Sequence, residues 1–388
     1  MNKKWLLFLT VPFLIVLLTL AACSSGSTDP EEQTNGGDSD QQQSDPSSDT
    51  NTDDSNESDS NNNDPLAPLE ETAKVVIAED GSASGAGFYI ANEKGYFADY
   101  NIEVEFATFG NSDEMLPAVA SGEVDVAGGI SSASFFNSIA QGIDVRFIAD
   151  KGHNVEGSSY FSFVIREDLQ DEITSYEDLE GRKIAVSTQN AVDDYIFQQM
   201  LEHAGLTRDD VEFVLMSDFG NMMSALGNKQ IDAALQIEPL ITQGINQDIH
   251  VRFGDATDFA PKAQIAMVLG SPVFLNERSE VAKRFMAAYL KAVRDYNDVF
   301  VNGNGDEEEL NEIIDIMTQY TALKDPEIWK QVGVTGLNPN GRMFIEDIKN
   351  QYDFYQNNGA ISAELDFDQV VDTTLTEEVV EILGEYEE

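Results

Sequence analysis

Past residue 72 short apolar runs alternate with amphipathic stretches, and that alternation predicts strands and helices in turn. Lys74–Ala78, Ile102–Ala107, Val124–Gly128 and Val145–Ala149 read as strands. Gly85–Lys94, ended by Gly95, Ser112–Ser121, capped by Ser112, and Ser131–Gln141 read as the helices between them. The pattern restarts after Gly157. Strands are predicted at Tyr160–Arg166, Lys183–Ser187, Val211–Leu215, Ala233–Gln236 and Ile265–Gly270. A capping box at Ser175–Asp178 announces a short helix. Further helices follow at Ala191–Ala204, Phe219–Leu226 and Pro239–Asn246, the last with proline at its first position. From Ser279 onward the chain reads as helical, over Ser279–Val301, Leu310–Gln319, Asp325–Val332 and Phe344–Asn357. Strand–helix alternation in two halves predicts an α/β protein of two lobes. Each is a mainly parallel sheet flanked by helices, and a helical C-terminal region follows.

The first 65 residues break this pattern. Lys3 and Lys4 precede an almost unbroken apolar run from Trp5 to Ala22, the layout of a secretory signal. Leu20-Ala21-Ala22-Cys23 resembles the lipobox of bacterial lipoproteins, in which the cysteine is lipidated and becomes the first mature residue. Cys23 is the only cysteine of the chain. A diacyl anchor there holds a protein to a membrane, whereas one acyl chain binds only marginally. Residues 24–65 form a Ser/Asp/Asn/Gln tract with 12 acidic residues, no base, and no aliphatic or aromatic side chain. With nothing to bury, the tract is expected to be disordered, a tether reaching roughly 35–40 Å. The chain thus divides into a signal and lipobox (1–23), an acidic linker (24–65), a first lobe (66–159) and a second lobe (160–264). Residues 265–388 return to the first lobe and end in helices.

Composition narrows the function. Acidic residues number 71 against 22 Lys plus Arg, a formal charge of -49. Nucleic acid is thereby excluded as a partner, because binding phosphate needs a basic face. Three histidines and one cysteine exclude a disulfide framework and a thiol-rich metal site. No metal and no cofactor is expected. The acidic surface suits an exported protein kept soluble in salt or alkali.

Several motifs carry a family likeness. Gly87–Phe97 (GFYIANEKGYF) resembles the "Y-A-x-x-K-G-Y-F" segment of solute-binding proteins for nitrate, sulfonates, taurine and thiamine-pyrimidine precursors. Gly122–Ala127 resembles the "G-x-x-D-x-A" element of that family. Asp178–Val186 (DLEGRKIAV) resembles the segment that opens its second lobe, and Ile231–Ala234 with Glu238-Pro239 resembles its "I-D-A-x…E-P" segment. The resemblance implies the two-lobed periplasmic-binding-protein-like fold (type 2). It also implies a small-molecule solute, an ABC permease with its ATPase as partners, and a monomeric protein. Two other readings stay open: a ligand-sensing surface lipoprotein, and an enzyme like the thiamine-pyrimidine synthase of the same fold family. That synthase uses a histidine and a cysteine-rich segment, and the pocket segments here hold neither.

Ligands of open α/β sheets bind beyond the carboxyl ends of strands, beside helix N-termini. Three predicted strand ends carry small hydroxyls or amides: Ser82 and Ser84; Ser131 and Ser132; and Ser187, Thr188, Gln189 and Asn190. Asp218, Phe219, Gln236 and Glu238 are expected to supply the remaining wall. Phe88 and Phe219 are candidates to cover a flat or apolar part of the ligand. Asp125 and Asp232 are expected to brace loops. None of the pocket segments contains Lys, Arg or His. A neutral, zwitterionic or monoanionic solute is therefore expected ahead of sulfate or phosphate, unless Lys151, His153 or Arg146 turns inward. His153 is expected at the surface.

Overall fold

The structure, a computed structural model, describes residues 64–110, 112–155 and 159–387. The basic head, the apolar run, Cys23 and all of the acidic tract but Asp64 and Pro65 lie outside the described residues.

Ten strands are described: β1 (Ala73–Glu79), β2 (Ile102–Thr108), β3 (Val126–Ile130), β4 (Arg146–His153), β5 (Phe161–Arg166), β6 (Lys183–Val186), β7 (Glu212–Leu215), β8 (Ala233–Ile237), β9 (His250–Asp255) and β10 (Gln264–Gly270). They form two five-stranded sheets, ordered β2-β1-β3-β10-β4 and β7-β6-β8-β5-β9. In the first, β1 pairs parallel with β2 and β3, while β10 is antiparallel to both β3 and β4. In the second, β6 pairs parallel with β7 and β8, while β5 is antiparallel to β8 and β9. Each sheet thus has one opposed strand among four that agree, in the same position. The opposed strand is the one that arrives from the other lobe. The chain crosses from β4 into β5 and returns from β9 into β10.

The sequence shows why these strands form. β3 (VAGGI), β8 (AALQI) and β10 (QIAMVLG) are buried throughout or nearly so, as central strands covered on both faces must be. β2 (IEVEFAT) sits at an edge and alternates apolar with acidic residues. β9, also at an edge, was not expected, and its sequence (HVRFGD) shows why: three of its six residues are charged or His.

The two lobes share a brace. Asp125 precedes β3, and its carboxylate accepts the Val76 N–H of β1 (2.9 Å) and an Arg278 guanidinium N–H (2.5 Å). Asp232 precedes β8 and accepts the Lys183 N–H of β6 (3.0 Å) and an Arg166 N–H (2.9 Å). Both aspartates therefore brace the loop before a strand against that strand's parallel neighbour, as expected. A carboxylate in this position supplies an acceptor at a point where no ladder carbonyl faces the N–H.

The C-terminal helices complete the first lobe. Helix Ser279–Tyr296 packs against helix Ala86–Glu93 through Phe285, Tyr289 and Val293. Gly87 permits the close approach, since a Cβ there would lie 2.4 Å from Tyr289 Cε2. Phe88 belongs to this core. It is fully buried, with its ring 4.9 Å from Tyr289 and 6.0 Å from Phe285, so it does not cover a ligand as expected. Helical spacing predicts this: Phe88 and Ala91, three residues apart, lie on one buried face. Helices Pro272–Glu277 and Thr374–Leu383 also went unforeseen. Helix Leu240–Asn246 starts one residue later than its prediction, with Pro239 at the N-cap. The donor it leaves is met by Glu238, whose carboxylate accepts the Thr242 N–H at 3.0 Å.

Candidate functional site

The carboxyl ends of β1, β3, β6, β7 and β8 carry the chain towards one cleft between the sheets. Two contiguous cavities lie there, of about 180 Å³ and 30 Å³. The larger is lined by Asp80, Ser82 and Gly110 from the first lobe and by Asp218, Phe219, Glu238 and Pro239 from the second, among others. The smaller is lined by Ser112 and Ile130 on one side and by Tyr160, Phe161, Ser187 and Thr188 on the other, with Asp80 and Phe219 shared. A hollow of about 780 Å³ along helix Glu307–Tyr320 is larger. Five carboxylates line it and no strand end stands behind it, so it reads as solvated surface.

The expected site residues separate into two groups. Ser82, Ser187, Thr188, Asp218, Phe219 and Glu238 border the cavities. Ser82 occupies an N-cap position but makes no capping bond; its hydroxyl meets Ser84 Oγ at 2.9 Å. Asp218 borders the cavity and also caps its helix, accepting the Asn221 N–H at 2.6 Å. Ser187 and Thr188 are held from below by Asp193, which accepts the Ser187 N–H (2.6 Å), the Ser187 hydroxyl (2.7 Å) and the Thr188 N–H (3.0 Å).

The second group is engaged elsewhere. Ser132 caps helix Ala133–Ala140 through the Phe135 N–H, and its own hydroxyl donates to Asp113 at 3.0 Å. Ser131 is fully buried and its hydroxyl faces Tyr355. Gln189 is exposed and Asn190 half-buried, and neither borders a cavity. Gln236 has no exposed surface; its amide donates to the Phe219 carbonyl at 3.0 Å, a brace for the wall rather than the wall itself. Ser131, Ser132 and Asn190 instead join the lobes. Ser132 and Ala191 form an antiparallel bridge, with the Ala133 N–H on the Asn190 carbonyl (2.8 Å) and the Val192 N–H on the Ser131 carbonyl (3.2 Å). The cleft is closed across this clasp.

Glu238 is nearly buried. Its carboxylate accepts from Thr242, from the Gly333 N–H (3.2 Å) and from Arg252 (3.2 Å). Burial raises its pKa, and the Thr242 bonds offset part of that.

The expectation of a cation-free pocket needs correcting. Lys151 on β4 is buried just behind the cleft, with Nζ 3.0 Å from Glu79 Oε1 and 2.9 Å from Ser84 Oγ. Burial works against its charge, but Glu79 and Asp80 outweigh it and hold the pKa above the ordinary lysine value. Burial pushes the Glu79 carboxyl up to about 7, with Lys151 pulling the other way. Tyr160 meets Ser84 Oγ at 3.0 Å and borders the smaller cavity. His153 is buried, not at the surface: Nδ1 lies 3.1 Å from Asp150 Oδ1, and that carboxylate outweighs burial to raise its pKa. Arg146 pairs with Asp144 and Asp372 on the first lobe.

Sequence reasoning missed Tyr160 and Phe161 as lining residues. Tyr160 and Phe161 open the strand that follows the first crossing. Residues at a crossing flank the cleft in any two-lobed chain, and that position was the available signal.

A family profile described as NMT1/THI5 like matches residues 82–298, more than half of the chain. A protein of Brucella abortus described as a binding protein is 28% identical over 206 residues, 52% of this chain and 60% of that relative. The chain thus spans less than two thirds of the length of the curated relatives it matches. Among solved structures, the ligand-binding component of an ABC-type import system from Staphylococcus aureus, crystallised with zinc, shares 14% identity at a TM-score of 0.66. The match covers 79% of this chain and 99% of that one. The periplasmic nitrate-binding protein NrtA from Synechocystis PCC 6803 shares 13% identity at a TM-score of 0.65, covering 80% and 89%. The periplasmic aliphatic sulphonate-binding protein SsuA from Escherichia coli shares 15% at 0.60, covering 77% and 91%. These likenesses establish the periplasmic-binding-protein-like fold.

Proposed function

The chain belongs to the NMT1/THI5-like family, and from that premise we propose that it is a solute-binding protein delivering a small solute to an ABC permease and its ATPase. It acts outside the cytoplasm, anchored through lipid on Cys23, and makes or breaks no bond. One observation carries the reading: two lobes of identical strand order bring equivalent strand ends to a closed cleft lined by hydroxyls, a phenol and carboxylates. Such walls bind and orient a polar solute by hydrogen bonds while closure excludes water. Among the described residues lining the two cavities there is no histidine and no cysteine to serve as base or nucleophile.

The solute is small. An apolar cavity of about 150 Å³ holds benzene, so the space here suits roughly six to nine non-hydrogen atoms. Taurine, with about seven non-hydrogen atoms, fits that size and meets the carboxylates with its amine, whereas an aminopyrimidine thiamine precursor, with about ten, lies just above it. Nitrate is smaller than the space. A ligand at 100 times its dissociation constant should stabilise the protein by about 2.7 kcal/mol. A thermal-shift screen of the full chain in detergent against these solutes tests the reading. If no small solute raises the melting temperature, the reading fails.

A further inference from the structure

The buried pair Lys151–Glu79 has a connection to the cleft that no cavity-lining residue reveals. Both side chains are almost wholly buried, 1% and 3% exposed. The backbone makes room for them. A Cβ on Gly128 would lie 1.9 Å from Glu79 Oε1 and 2.2 Å from Lys151 Cε, and one on Gly152 would lie 2.7 Å from Tyr160 Cε2 and 3.3 Å from Ser84 Cβ. A core filled with apolar side chains would be as stable or more so, because two buried ions lose the hydration that water gave them. The pair has a direction. Glu79 turns its other oxygen to the Tyr89 hydroxyl (3.2 Å), away from the cleft, while Lys151 turns to Ser84 (2.9 Å).

Proton counting then fixes what the cleft sees. An ammonium only donates, so Ser84 Oγ accepts from Lys151. Ser84 has one proton to give and two hydroxyl neighbours, Tyr160 at 3.0 Å and Ser82 at 2.9 Å. If it donates to Tyr160, the phenol proton is left for the cavity. If it donates to Ser82, the Ser82 proton is left for the cavity and Tyr160 donates to Ser84. In both arrangements one O–H, at the end of a chain polarised by the buried ammonium, is presented to the space between the lobes. Burial keeps the phenol protonated, raising its pKa.

We infer that Lys151 is a positioning residue for ligand specificity: acting through Ser84, it makes Tyr160 and Ser82 the receptor for an anionic oxygen of the solute. The inference rests on the solute-binding reading above and deepens it. The solute's sulfonate or carboxylate end meets whichever of Tyr160 and Ser82 presents its O–H, and its amine end faces Asp218 on the opposite lobe, while Asp80, whose carboxylate accepts the Ser82 N–H at 3.0 Å, stands beside the receptor.

The test is calorimetry on the full chain in detergent with three probes: taurine, ethanesulfonate, and the neutral 4-amino-5-hydroxymethyl-2-methylpyrimidine. Because Lys151→Met alone leaves Glu79 buried without its cation, the charge-free pair Lys151→Met with Glu79→Gln is compared with it, and Tyr160→Phe is measured separately. The expected result is that the wild type binds a sulfonate. The double variant and Tyr160→Phe should weaken it tenfold or more and leave pyrimidine affinity, or its absence, within threefold of wild type. Lys151→Arg should restore part of the sulfonate affinity. Sulfonate binding unchanged in both variants overturns the inference, as does equal weakening for charged and neutral probes. A wild type that binds the pyrimidine but neither sulfonate overturns the inference and leaves the solute-binding reading standing. A wild type that binds none of the three overturns the inference together with the solute classes named for the reading.

Discussion

Replacing Asp193 by asparagine should change how stability depends on pH, and the size of the change follows from its surroundings. Asp193 is fully buried beneath Ser187 and Thr188. One carboxylate oxygen takes all three of their bonds, and the other has no hydrogen-bond partner. Burial pushes its pKa from 3.8 up to about 6, the bonds from Ser187 and Thr188 offsetting only part. The folded protein therefore holds this proton where the unfolded chain has lost it. The stabilising contribution is complete below about pH 3.8 and is lost as pH rises through about 6. A rise of about two units corresponds to about 3 kcal/mol. Asp193→Asn keeps an acceptor oxygen for the Ser187 and Thr188 N–H groups and cannot ionise. Glu79, Glu238 and Asp347, also raised by burial, slope the same way in both proteins and cancel in the difference. Urea unfolding of both proteins from pH 3.5 to 7.5 is the assay. The variant should gain about 3 kcal/mol on the wild type across that range. A flat difference, or one that falls with pH, would refute the reasoning. It would mean that three donors hold the carboxylate at or below its usual range.

Phe88→Ala should cost about 3–5 kcal/mol of stability, because it empties a site between Phe285 and Tyr289. Solute affinity of the folded fraction should stay at the wild-type value, and a specific loss of affinity would return Phe88 to the cleft. Asp125→Asn and Asp232→Asn should destabilise by similar amounts, about 1–3 kcal/mol each, measured by denaturant midpoint, since each weakens one charge-assisted brace. A large effect at one and none at the other would show that the braces are not equivalent. Cys23→Ala should abolish incorporation of labelled fatty acid, and a wild type that takes up no label would exclude the lipid anchor.

Much of the fold was legible because the pattern reports burial. Central strands such as β3, β8 and β10 are runs of small and branched apolar residues, and their helices carry clear caps or periodicity. The edge strand β9 escaped because solvent on one side lets it carry His250, Arg252 and Asp255. The site was legible only as far as strand ends determine it. Ser82, Ser187 and Asp218 fall beside the cavities because the carboxyl ends of parallel strands converge. Whether a hydroxyl at such an end faces the cleft or caps its helix depends on backbone angles that the sequence does not display, and Ser132 went the other way. Lys151 was named only as one of three cations able to turn inward, and its pairing was hidden for a different reason. It lies within β4, and its partner Glu79 lies on β1, which is separated from β4 in the sheet by β3 and β10.

The exchange of β5 and β10 between the sheets dictates the order in which this chain can fold as it is synthesised. The second sheet is built from one continuous stretch, β5 to β9, and has all its strands once residue 255 is out. The first sheet has four strands by residue 153 but a gap between β3 and β4 until β10 arrives, and its core still waits for the helix Ser279–Tyr296. The N-terminal half must therefore stay open while the later half closes. A truncated chain ending before residue 264 would contain one finished lobe and one that cannot finish. Such a chain would expose the apolar faces of β3 and β4 to proteases, so the products of incomplete synthesis would be degraded.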